Sequence, residues 1–199
     1  MIWIGLTGGI ASGKSTVSQI LRQRGLPVVD ADELARDAII HGSEGYKNVV
    51  KAFGMDVLNK DGTLNRESLA EIVFTDKSQL EKLESIIHPI VREQTKKLKD
   101  SLKSQGYKMA FYDVPLLFEK NMESMFDKIV VVYSRMDQQI ERLKSRNNMS
   151  KEQAVNRILN QVSMDDKIKK CDFVVDNTSD HENLENQITK LLEDLNDQS

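Results

Sequence analysis

The sequence has one cysteine, three prolines and three histidines among 199 residues, and each scarcity removes a class of explanation. A lone thiol, Cys171, closes no intrachain disulfide and has no second thiol with which to share a metal. It reads as a small buried hydrophobe in a reducing, cytoplasmic setting. His41, His88 and His181 are scattered without the spacing of a metal site or of a Ser/His/Asp triad. No apolar run approaches the ~20 residues that cross a bilayer. The amino end, Met1-Ile2-Trp3-Ile4-Gly5, has no cationic segment ahead of its apolar run, so neither a membrane span nor a secretory leader is expected. Positive charge is not in excess either. Lys and Arg number 28 against 31 Asp and Glu, a net charge of −3, which leaves no electrostatic footprint for a polynucleotide.

What remains is a globular composition, 39% hydrophobic and 30% charged, at a length that suits one domain with embellishments. Five short apolar runs read as strands: 2–7, 27–30, 108–114, 128–133 and 172–176. They are rich in β-branched and aromatic residues and do not alternate with polar ones, as strands buried on both faces demand. The expected core is therefore an α/β, doubly wound, five-stranded parallel sheet. A first crossover helix over 14–24 turns Val17, Ile20 and Leu21 inward and ends at Gly25; a last one over 182–195 has a stripe of Leu184, Ile188, Leu191, Leu192 and Leu195. More than 70 residues separate the second and third strands, too many for a simple crossover. They read as an inserted helical subdomain with helices over 32–41, 44–53, 65–74, 77–87 and 89–105, with Asn65 as a cap and Pro89 opening the last.

The most specific signal follows the first strand. Gly8-Gly9-Ile10-Ala11-Ser12-Gly13-Lys14-Ser15 fits the P-loop pattern G-x-x-x-x-G-K-[ST]. In such a loop the main-chain N–H groups turn toward nucleotide phosphates, here with Lys14 reaching the β/γ oxygens and Ser15 ligating Mg²⁺. The start of the following helix adds its positive end. Gly8, Gly9, Ala11, Ser12, Gly13, Lys14, Ser15 and Thr16 are thus the candidate nucleotide-binding set.

Carboxylates placed after strands supply the other half of phosphoryl-transfer chemistry, since ligands of doubly wound sheets sit at the strands' carboxyl ends. Asp30-Ala31-Asp32 follows the second strand, with Asp32 either a proton acceptor or only a helix cap. Asp113 ends the third strand and is a candidate Mg²⁺-linked acid, while Glu119 also reads as a solvated loop residue. Residues 135–161 carry Arg135, Arg142, Lys144, Arg146, Lys151 and Arg157 on expected helices, with Ser150-Lys151-Glu152-Gln153 as a capping box. Arg142 and Arg146, four apart, share a face and are spaced to present two guanidinium groups to one triphosphate; the alternative is a solvated charged face.

Taken in order, the P-loop, Asp30-Ala31-Asp32, His88-Pro89-Ile90-Val91-Arg92 and Pro115-Leu116-Leu117-Phe118-Glu119 resemble the dephospho-CoA kinase family over nearly the whole chain. The stretch from Arg142 through Arg146, Ser150, Glu152, Ala154 and Arg157 to Gln161 is similar to that family's lid. The resemblance implies transfer of the γ-phosphate of ATP, carried with Mg²⁺, to the ribose 3′-hydroxyl of dephospho-CoA. It also implies a core of about 1–31, 106–134 and 171–199, a helical CoA-side insertion of about 32–105 and a lid of about 135–170. It places the catalytic carboxylate at Asp32, with Lys14 and Arg142 beside it in the chemistry. Arg146 and Asn177 fall on the nucleotide side, and His88, Pro115 and Leu116 on the acceptor side. Ala11 stands where many members have Gly.

From the residues alone two other readings stay open: a P-loop kinase for a nucleoside monophosphate or small polyol, and a nucleotide-dependent switch. Against the switch, Asn59-Lys60-Asp61 lacks the spacing of a guanine-reading Asn-Lys-x-Asp motif, and there is no transporter-ATPase signature. Oligomeric state is not readable from the sequence.

Overall fold

The computed structural model describes residues 1–197 of the chain. Its five strands are β1 (Ile2–Gly8), β2 (Val28–Asp30), β3 (Met109–Asp113), β4 (Lys128–Tyr133) and β5 (Phe173–Asp176). They form one sheet in the order β2-β3-β1-β4-β5. β1 pairs in parallel with β3 and β4, and β4 with β5. The order follows from burial: β1 and β3 are apolar enough to be covered on both faces, and their residues are almost all buried. The helices α1 (Lys14–Gln23) and α9 (His181–Asp197) pack the expected stripes, Val17, Ile20 and Leu21 with Leu184, Ile188, Leu191 and Leu195, against Ile4, Leu6, Phe111, Val130 and Val132. The middle strand therefore delivers its carboxyl end, and the loop after it, to the centre of the sheet.

The chain divides into two compact units, Met1–Val29 with Leu102–Ser199, and Asp30–Ser101. The second unit is helical. It has α2 (Ala31–Asp37), α3 (Glu44–Phe53), a 3-10 turn at Met55–Val57, α4 (Arg66–Thr75) and most of α5 (Lys77–Ser104). Its core is Ile39, Val49, Val57, Leu69 and Val73. Two expectations are corrected here. The helix expected over 32–41 stops at Asp37, because Ser43 Oγ donates to Ala38 O (3.0 Å) while accepting from Tyr46 N (3.1 Å), which ends one helix and caps the next. The helices expected over 77–87 and 89–105 are one, with Pro89 inside it. An interior proline costs a helix ~3 kcal/mol. Leu80, Leu83, Ile86 and Ile87 pack on the unit's core; at ~0.8 kcal/mol per buried CH₂, these contacts offset that cost. His88 is thus an exposed side chain in mid-helix, not a helix-end residue.

In the first unit, α6 (Met136–Asn147), α7 (Lys151–Leu159) and α8 (Met164–Lys169) occupy the stretch expected to be a lid. Ile140, Leu143 and Ala154 form a small core between α6 and α7, and Ile10 and Ala11 of the Gly-rich loop pack into it. The capping box is present: Gln153 N donates to Ser150 Oγ at 3.1 Å, and Ser150 N to Gln153 Oε1 at 2.9 Å. Among the described residues no helix is long and apolar enough to cross a membrane.

Candidate active site

The loop joining β1 to α1 is built so that some peptide groups are locked and others are free. Ile10 N–H donates to Gln161 Oε1 (2.8 Å), and Gly9 O accepts from Ser12 N (3.0 Å). Ile10 O accepts from Gln139 Nε2 (2.8 Å). Arg142 donates to Ala11 O (3.1 Å) and Ser12 O (3.0 Å), and Asn177 Nδ2 also donates to Ser12 O (2.8 Å). Gly13 O accepts from Thr16 and Val17. Among the described residues, the N–H groups of Ala11, Gly13, Lys14 and Ser15 have no protein partner. These four amides at the start of a ten-residue helix, which has no side-chain cap, have the arrangement of a nest suited to an anion.

The glycines are required by close approach. A Cβ at Gly8 would lie 2.6 Å from Ser12 Oγ and 2.7 Å from Val132 O, and one at Gly9 would lie 2.5 Å from Gln139 Nε2. Gly13 has φ +98, and a Cβ there would overlap Asn177 Nδ2. Ala11 is left-handed too, with φ 57, a conformation that costs an L-residue ~1–2 kcal/mol. Ala11→Gly is therefore expected to stabilise the fold by ~0.5–1 kcal/mol in urea unfolding, after the extra freedom of the unfolded chain is counted. A fall in stability would mean that the methyl group's packing beside Ile140 and Ala154 outweighs the strain.

Lys14 is ion-paired with Asp113 at the end of β3, and Ser18 Oγ, one turn along α1, donates to the other Asp113 oxygen at 2.5 Å. Asp113 is almost wholly buried, so both contacts serve to hold a desolvated charge. Ser18 had no motif to announce it. Ser15 is exposed and its hydroxyl has no partner among the described residues. Thr7 Oγ1 donates to Pro115 O (3.3 Å), which fixes the segment after β3; Pro115 is half-buried and Leu116 exposed.

Arg142 and Arg146 do not share a partner. The guanidinium of Arg142 is occupied by the carbonyls of Ala11, Ser12 and Asn177, whereas Arg146 is exposed and donates to Asn147 Oδ1 (3.1 Å). Glu119 is no solvated loop residue. Its Oε1 accepts from Val162 N (3.0 Å) and pairs with Lys167 Nζ (2.9 Å), whose side chain is 1% exposed. That contact corrects the reading from sequence, which had no way to see that α8 covers the segment. Cys171 is half-buried, its Sγ donates to Ile168 O (3.3 Å), and burial raises the pKa of its thiol.

In the second unit, α2 is capped by Asp30, whose Oδ1 accepts from the N–H groups of Asp32 (2.8 Å) and Glu33 (3.1 Å). Asp32 is therefore not the cap. It lies in the first turn of α2, exposed, with no partner for its carboxylate among the described residues. Among those residues no group of three or more His, Cys, Asp or Glu side chains is arranged to hold a metal.

Three comparisons bear on this arrangement. A family model described as dephospho-CoA kinase matches residues 2–183. A protein of Listeria monocytogenes serotype 4b named dephospho-CoA kinase is 45% identical over 189 residues, 95% of this chain and 94% of that protein. Among solved structures, one from Thermus thermophilus superposes with a TM-score of 0.83 at 34% identity, covering 98% of this chain and 97% of its own. A dephospho-CoA kinase from Campylobacter jejuni superposes with a TM-score of 0.73 at 26% identity, over 97% and 96%. The chain belongs to the dephospho-CoA kinase family.

Proposed function

We propose that the protein transfers the γ-phosphate of ATP to the ribose 3′-hydroxyl of dephospho-CoA, giving coenzyme A and ADP. Within the structure, the observation that carries this reading is the set of unpartnered amides at Ala11, Gly13, Lys14 and Ser15. They form a preorganised receptor for a polyphosphate, and a polyphosphate donor is what the family's chemistry requires. Lys14 is the cation for the β/γ oxygens. Asp32 takes the proton of the attacking hydroxyl, a role its unoccupied carboxylate supports. His88, Pro115 and Leu116 are assigned to the acceptor and Asn177 to the nucleoside end of the donor, on family likeness. Arg142 acts through the loop carbonyls it binds, and Arg146, bonded among the described residues to its neighbour Asn147, is the lid cation available to phosphate.

Magnesium fits the residues present in one respect. The exposed Ser15 hydroxyl at the second position of α1 would hold it, whereas both Asp113 oxygens are engaged by Lys14 and Ser18. When bound with ATP the ion would neutralise charge on the β- and γ-phosphates. The net charge of −3 supports a small-molecule acceptor rather than a polynucleotide. The lone half-buried cysteine supports a cytoplasmic location.

The test is direct. Purified protein with Mg-ATP and dephospho-CoA is expected to yield coenzyme A by mass spectrometry, with ADP released in equal amount. Nucleoside monophosphates offered as acceptors are expected to stay unphosphorylated. ADP release without coenzyme A would overturn the assignment.

A further inference from the structure

Which amides of the loop are free is decided by side chains far away in sequence. In a trans peptide the C=O and the following N–H point in opposite directions, so a group that holds the carbonyl also aims the amide. Gln139 holds Ile10 O, and the amide of that same peptide unit, Ala11 N–H, is one of the four without a partner. The preceding unit is held at both ends, Ile10 N–H by Gln161 and Gly9 O by Ser12. Ile10 is thereby clasped by two glutamines, one donating and one accepting, 129 and 151 residues from it. Its side chain is meanwhile packed in the small core beneath α6 and α7.

Gln139 is itself buried, with 4% exposure. A buried amide side chain is kept only where its hydrogen bonds are made, and this one is spent on a loop carbonyl. Gln161 lies on the turn between α7 and α8. That turn is fixed in place by Val162 N–H on Glu119 Oε1 and by the buried Lys167–Glu119 pair. An ion pair taken out of water contributes little net stability; here it holds the segment that presents Gln161.

We infer that Gln139 and Gln161 are positioning residues for phosphoryl transfer: together they set the orientation of the Ile10 peptide groups and so aim the Ala11 amide at the donor's phosphates. The inference rests on the P-loop being the polyphosphate site, and not on which acceptor is phosphorylated. Neither glutamine contacts the donor in this scheme. Their removal is felt only through the loop.

The experiment uses Gln139→Met and Gln161→Met, which keep side-chain length and remove the polar ends. Calorimetry with Mg²⁺ and inorganic tripolyphosphate, in the absence of any acceptor, is expected to show Kd raised about tenfold in each, the scale of one lost hydrogen bond. In the kinase assay the KM for ATP rises by a similar factor while the KM for dephospho-CoA stays within twofold. Because both side chains act on one residue, the double variant is expected to fall well short of the product of the single effects. Tripolyphosphate affinity unchanged in folded Gln139→Met protein overturns the inference, as does a fully multiplicative double variant or a KM for dephospho-CoA that rises in step. Should Gln139→Met not fold, Gln161→Met at its half-buried position reads the same quantities. A protein that binds tripolyphosphate in the expected pattern yet makes no coenzyme A would refute the proposed acceptor and leave the clasp standing.

Discussion

Asp32→Asn is expected to lower kcat by about 10²–10⁴, the usual worth of a positioned proton acceptor, with little change in the affinity for ATP. The local structure makes the experiment clean. Capping of α2 is done by Asp30, so asparagine at position 32 removes no hydrogen bond among the described residues. The stability lost is that of one negative charge in a helix's first turn, ~0.3–1 kcal/mol. Asp30→Asn is the matching control, because asparagine caps as well as aspartate and should leave turnover nearly intact. A near-normal kcat in Asp32→Asn would remove this residue from the mechanism.

Lys14→Ala is expected to abolish measurable turnover, weaken ATP binding at least tenfold and destabilise the fold. The first two effects follow from losing the cation of the loop. The third follows from Asp113, which is buried and whose carboxylate would keep, among the described residues, only Ser18 as a partner. Breaking a buried pair from one side typically costs ~3 kcal/mol or more. The two consequences separate in Lys14→Met/Asp113→Asn, where no buried charge is left behind. Stability by urea unfolding should largely return, and activity should not. Restored activity in that double variant, or unchanged binding in the single one, would contradict the role given to Lys14.

The sheet and its flanking helices were legible because each depends on patterns contained within short windows. The expected strand over 128–133 matches β4 to the residue, and of the stripe from Leu184 to Leu195 all but the partly buried Leu192 are buried as the spacing required. The loop signature was legible for the same reason: close approach forces glycine at fixed positions. The errors arose where a distant partner overrides a local rule. Pro89 breaks helices in isolation but not where Leu80, Leu83, Ile86 and Ile87, partly buried, pack the same helix on the unit's core. Glu119 looks solvated until α8 is laid over it. The spacing of Arg142 and Arg146 correctly put them on one helix, yet could not reveal that Arg142 is consumed by loop carbonyls. Gln139 and Ser18 had no motif at all, since a glutamine or serine on a helix is unremarkable until the atom it faces is known.

The long sequence reach of the loop's supports bears on how the protein is made. The eight-residue signature emerges as one short stretch, but Gln139, Arg142 and Asn177 emerge more than 120 residues after it, and β4, one of the two strands flanking β1, just before Gln139. A fragment ending ahead of Arg135 would contain every letter of the motif and none of the side chains that turn its carbonyls aside. The orientation of the loop's peptide groups is thus acquired only after residues 139–177 have closed around residues 8–15.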